Sequence, residues 1–138
     1  MTKELFIKFK NELKKENKWF ETCSFCMTKR QEALHTATIQ LVGNFPYEWQ
    51  IEQHQKSIER VQEYDTWTQE EKDSNKEYGL KMIQKYQDRL NKYGTPENEA
   101  NSRFDSLRDS KAFKKLEDIG VSVELVLEGN VFTARLHW

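Results

Sequence analysis

The chain has 138 residues, with 22 Lys and Arg against 23 Asp and Glu and only two Pro and five Gly, which fits one domain and leaves little room for a second. Charged residues make up 33%, yet 12% are aromatic, far too many for a disordered chain, and this length supports a core without disulfides or metal. No apolar run approaches the roughly 20 residues of a spanning helix, and the N-terminus lacks the basic, apolar, small-residue order of a signal peptide, so a cytoplasmic protein is expected.

Leu5, Phe6, Phe9 and Leu13 fall on one side of a 3.6-residue period, predicting an amphipathic helix over residues 3–17. From Trp19 the period changes to two. Trp19, Cys23, Phe25 and Met27 share one side, and His35, Ala37, Ile39 and Leu41 alternate over residues 34–42, which reads as two strands. Residues 28–32 would be the turn between them, with a helix over residues 29–36 as its competitor. After Gly43, Asn44 and Pro46, the residues Ile51, Ile58, Val61 and Tyr64 mark a second helix over residues 47–65. Thr68-Gln69-Glu70-Glu71 fits a capping box, so a third helix begins at Gln69 and stops at Gly94, ahead of Pro96. The short connection makes these two an antiparallel hairpin. Gly79 weakens the third helix by about 1 kcal/mol without breaking it.

Thr95 and Pro96 resemble a cap and a first helical position, and Ser110 offers a second cap, so one kinked helix or two short ones are expected over residues 96–118. At the C-terminal end, Gly129 and Asn130 suit a two-residue II′ turn. The implied register sets Leu127 against Phe132, Leu125 against Ala134, Val123 against Leu136 and Val121 against Trp138 on an apolar face. The other face pairs Val126 with Thr133 and Glu124 with Arg135. A lone hairpin is marginal in water, so its apolar face should lie on helices, beside the strands of residues 19–42. The fold class is therefore α+β: an N-terminal helix, a strand pair, a long helical hairpin, a shorter helical segment and a C-terminal β-hairpin, all within a single domain of residues 1–138.

Cys23 and Cys26 with His35 and His54 supply four zinc-capable ligands, but positions three apart on a strand face opposite ways, and two thiols in a reducing compartment are the simpler reading. His54 lies along an apolar helical stripe, as a core histidine would, and no phosphate loop, nucleophile elbow, zinc-protease or calcium-loop pattern occurs. Neither an enzyme nor a bound cofactor or metal is expected.

Residues 1–30 hold eight basic and four acidic side chains, and residues 31–80 hold four basic and ten acidic. The acidic hairpin, with Glu59, Glu63, Glu70 and Glu71 near the aromatic Tyr47, Trp49 and Trp67, reads as a protein-binding surface, because charge steers encounter and Trp and Tyr anchor interfaces. Tyr47 and Trp49 are placed in an exposed connecting segment. The expected function is a non-enzymatic protein-binding module. A regulator or inhibitor of the kind carried by phages or mobile elements, acting on a larger nucleic-acid-handling protein, would suit it. Direct DNA or RNA binding through Lys8, Lys10, Lys14, Lys15 and Lys18 is the alternative, although sixteen Lys to six Arg disfavours base-edge readout. No membrane contact is expected, and self-association into a homodimer stays open.

Overall fold

The computed structural model describes residues 1–138 and contains six helices and one four-stranded antiparallel sheet, an α+β arrangement. In chain order the elements are α1 (Lys3–Glu16), β1 (Ser24–Cys26), α2 (Lys29–Ala33), β2 (Thr36–Gly43), α3 (Tyr47–Gln62), α4 (Gln69–Tyr93), α5 (Pro96–Asp109), α6 (Lys111–Glu117), β3 (Ser122–Glu128) and β4 (Val131–His137). Backbone contacts divide the chain into two units, residues 1–44 with 100–138, and residues 45–99.

In the first unit the sheet order is β1-β2-β4-β3. The C-terminal hairpin has the expected register from Leu127–Phe132 to Val123–Leu136, and Gly129 takes the positive φ of 60° that the first turn position of a II′ turn requires. The ladder stops one pair before Val121 and Trp138; the Trp138 N–H instead donates to His35 O at 3.2 Å. Phe132, Ala134 and Leu136 of β4 join Ala37 and Ile39 of β2 in the core, covered by Phe6, Phe9 and Leu13 of α1 and by Phe104, Leu107, Phe113 and Leu116 from α5 and α6. Ser110 does cap a new helix, accepting from the Phe113 N–H at 3.0 Å. The N-terminal end of α6 is also bound from far along the chain: the Glu16 carboxylate accepts from the backbone N–H groups of Lys111 and Ala112 at 3.1 and 3.0 Å. A carboxylate is favoured there because those donors have no partner within the helix.

Residues 19–28 depart from the expected strand. Asn17 Oδ1 accepts from the Trp19 N–H at 3.0 Å and starts a 3-10 turn over Lys18–Thr22, so only Ser24–Cys26 pairs with β2. The turn buries Phe20 completely, which alternation would not have done. The helical competitor wins in the next segment. Thr28 and Gln31 form a reciprocal capping box that starts α2, which ends at Ala33, and His35, with a φ of 57°, then redirects the chain into β2.

The second unit is the helical hairpin. Thr68 caps α4 by accepting from the Glu71 N–H at 3.1 Å, and α3 ends three residues earlier than expected, its Gln62 carbonyl accepting from Lys72 Nζ at 2.9 Å. Gly79 sits where α4 packs tightly on α3, since a Cβ there would lie 2.7 Å from the Ile58 side chain. This explains a glycine that helix propensity alone disfavours.

Candidate functional site

The seam of α4 toward α3 runs through Lys72, Asn75, Gly79, Met82, Ile83, Tyr86 and Leu90, each buried or half-buried. Its second half is apolar and closes on α3. Its first half carries the polar Lys72 and Asn75. An open groove of about 720 Å³ lies at the closed end of the hairpin, lined by Trp67, Thr68, Glu70, Glu71, Ser74, Asn75 and Tyr78.

Two aromatic residues and two carboxylates thus converge. Trp67 is half-buried and packs against Tyr64, ring centroids 5.9 Å apart. Tyr78 is 57% exposed, a high value for so large a side chain. Glu71 is tied into the cap, its Oε1 accepting from the Thr68 hydroxyl at 3.2 Å, while Glu70 is exposed. Asn75 Oδ1 is buried and has no hydrogen-bond donor, an acceptor left unsatisfied in the groove lining. Residues 59–73 hold six acidic and two basic side chains, a net charge of -4, which equals that of the whole unit with its twelve acidic and eight basic groups. The negative field of this unit is therefore concentrated at the groove end.

Of the residues expected to bind a partner, the structure brings Trp67, Glu70 and Glu71 into this lining. Glu59, on the last turn of α3, and Glu63, which caps that helix, are exposed and outside it. Trp49 is 48% exposed and stacks on Phe45 at 5.6 Å, but it belongs to the first turn of α3, about 20 Å of helix away from the groove. Tyr47 is not in an exposed connection at all. It opens α3 and is completely buried, with its hydroxyl donating to Glu99 Oε1 at 3.2 Å. The expected single surface joining Tyr47, Trp49 and Trp67 is therefore corrected to a groove at one end and an exposed Phe45–Trp49 pair at the other.

The buried partner of Tyr47 is the centre of an ionic network. Arg89 clamps Glu99 with Nε at 2.6 and 3.1 Å and Nη2 at 2.8 Å, and its guanidinium lies over the rings of Tyr47 and Tyr86 at 5.2 and 5.3 Å. Burial opposes the Arg89 charge, but hydrogen bonds and attraction from Glu99 outweigh it and hold the guanidinium protonated above its ordinary range. Burial, followed by the Glu99 charge, pushes the Tyr47 phenol upward. The network ties the start of α3, the end of α4 and the first turn of α5 together, and with every group partnered it serves to hold the hairpin. His54 is half-buried beside it, stacked on Tyr86 at 5.9 Å.

The lysines are dispersed. Phe6, Phe9 and Leu13 define the buried stripe of α1, and at about 100° per residue Lys8 and Lys15 fall on one flank of it, Lys10 and Lys14 on the other. Lys14 is half-buried over the Phe25 ring at 5.6 Å, and Lys18 follows in the 3-10 turn. No single face of α1 presents all five.

Cys26 is exposed and its thiol donates to Gln31 Oε1 at 3.3 Å, whereas burial pushes the half-buried Cys23 thiol up to about 12. His35 stacks on Trp138 at 6.1 Å. No group of three or more His, Cys, Asp or Glu is arranged to hold a metal ion, and no helix is long and apolar enough to cross a membrane.

Sequence reasoning missed Ser74, Asn75 and Tyr78. The available signal was the seam of α4 extrapolated toward its start, where apolar residues give way to Asn75 and Lys72 at the same period. Comparison with known proteins finds no matching family model, no similar curated protein and no similar solved structure.

Proposed function

We propose that the protein is a non-catalytic binding module whose contact surface is the groove at the closed end of the α3–α4 hairpin, and whose partner is a protein presenting basic side chains. The supporting observation is the convergence of Trp67 and Tyr78 with Glu70 and Glu71 in one open lining. Aromatic walls supply desolvated contact area and a face for cations, and the carboxylates supply steering and charged acceptors. The exposed Glu70 and Glu71 carboxylates have oxygens free to accept, and Lys or Arg provides donors with the complementary charge. A regulator or inhibitor of a nucleic-acid-handling protein fits this chemistry, because a phosphate-binding surface is rich in such side chains.

The test is a pull-down with the tagged full chain, with and without nuclease, alongside E70Q/E71Q, which keeps an acceptor for the Thr68 cap, and Y78A, at an exposed ring. One stoichiometric protein that survives nuclease and is lost with both variants, while their melting temperatures stay near wild type, is the expected result. Equal capture by the variants would refute the groove. A nuclease-sensitive capture that falls steeply with salt would transfer the function to nucleic acid and the lysines of α1.

A further inference from the structure

The outer edge of the sheet is β3, and the direction of its backbone groups can be read from β4. At one end of β4 the Trp138 N–H donates to His35 O at 3.2 Å, and at the other Asn130 O accepts from the Asn44 N–H at 2.6 Å. Even-numbered residues of this strand therefore turn toward β2 and odd-numbered ones toward β3. Through the register Ser122–His137, Glu124–Arg135, Val126–Thr133 and Glu128–Val131, the even-numbered residues of β3 are the bonded ones. The N–H and C=O groups of Val123, Leu125 and Leu127 consequently face out of the sheet, with no other backbone partner.

Exposed edges are ordinarily blunted by Pro, Lys or a bulge. The seven residues of β3 contain no Pro and no Lys, and the register runs without interruption. Its two carboxylates are engaged by β4: Arg135 pairs with Glu128 and lies 4.0 Å from Glu124, and His137 Nε2 lies 3.0 Å from Glu124 Oε1. Leu127 remains 52% exposed on the strand.

We infer that β3 is a dimerisation edge that pairs antiparallel with β3 of a second copy, about a two-fold axis at Leu125. That axis sets Leu125 opposite its own copy and Val123 opposite Leu127 in both directions, so all three outward residues enter bonded pairs and about six backbone hydrogen bonds form. Val123 covers the exposed Leu127 side chain on the apolar face. On the other face Glu124 meets Val126 and Ser122 meets Glu128, so no carboxylate lies directly opposite another. Moving the axis two residues toward the turn runs Leu125 onto Gly129 and shortens the pairing. The strand is thus complementary to itself in hydrogen bonding and apolar contact, with no like charges set directly opposite, which is the property an isologous contact demands and which favours a second copy as the occupant.

The full chain is examined by sedimentation over about 1–500 µM, with residue-resolved amide exchange at both ends of that range. A monomer–dimer equilibrium is expected, with protection of Val123, Leu125 and Leu127 rising with concentration while Ser122, Glu124, Val126 and Glu128 stay unchanged. L127K should weaken the dimer roughly tenfold without lowering the melting temperature of the dilute monomer. L125P should abolish it, and since the Leu125 N–H makes no bond to β4, the intramolecular ladder survives the substitution. A monomer throughout, a dimer whose three odd-numbered amides exchange freely, or a dimer indifferent to L127K overturns the inference. So does a chain that stays monomeric alone yet protects those amides only with an extended peptide of another protein.

Discussion

Replacing Arg89 with Met removes the only cation from a carboxylate that has no exposed surface. Glu99 would keep a single hydrogen bond, from the Tyr47 hydroxyl, in place of the three from the guanidinium. Breaking a buried pair from one side costs about 3–5 kcal/mol, and because the Arg89 side chain is 26% exposed the lower end applies, about 3 kcal/mol. Loss of the two cation–π contacts adds about 1 kcal/mol. E99L should be milder, about 1–2 kcal/mol, because the partly exposed guanidinium can turn toward water while the carboxylate cannot. The double variant R89M/E99L should be more stable than R89M alone, giving a coupling energy of at least about 1 kcal/mol. Urea unfolding followed by far-ultraviolet circular dichroism measures all three, with the slope against urea expected to be unchanged. An R89M cost below about 1 kcal/mol, or strictly additive single and double variants, would refute the assignment of this network as the clamp of the hairpin.

Two further outcomes follow from the packing and the thiols. G79A should destabilise by about 1 kcal/mol, since crowding against Ile58 exceeds the gain in helix propensity, and the crowding should vanish in an I58A background, where both contacting atoms are absent; thermal melts that place G79A above wild type would show that the Ile58 side chain yields freely. A thiol reagent should label Cys26 in the native protein and Cys23 only on unfolding. The Cys23 thiol rises from 9.0 to about 12 on folding, so the native state keeps a proton that the unfolded chain releases. Its stabilising contribution is present below pH 9 and is lost as pH climbs toward 12, with Tyr47 acting in the same direction. C23A should flatten the fall in stability over that range, and an unaltered slope would exclude this thiol as a source.

Where local chemistry is sufficient, the fold is legible in the chain itself. Thr68 and Ser110 start helices because their oxygens reach donors three residues on, and the β-hairpin follows from a turn and a period of two. The segment over residues 19–28 was not legible, because its alternation was coincidental and the deciding interaction, Asn17 with the Trp19 backbone, outweighs a pattern that only packing could have enforced. Tyr47 shows the same limit at the candidate site. A tyrosine after Pro46 looks like a surface anchor until Glu99, 52 residues later, supplies the acceptor that lets it be buried.

The residues near Thr68 carry the acidic charge and the aromatic character of the hairpin end, and the sequence by itself determined those properties along with the helices, caps and C-terminal register. Only the tertiary structure decided that Trp67, Glu70 and Glu71 share a groove while Trp49 stands apart, and that Val123, Leu125 and Leu127 present an open edge. The reason is the range of the interactions: caps, turns and periodicity act within a few residues, whereas a groove or a sheet edge is defined by which distant elements meet and what they leave uncovered.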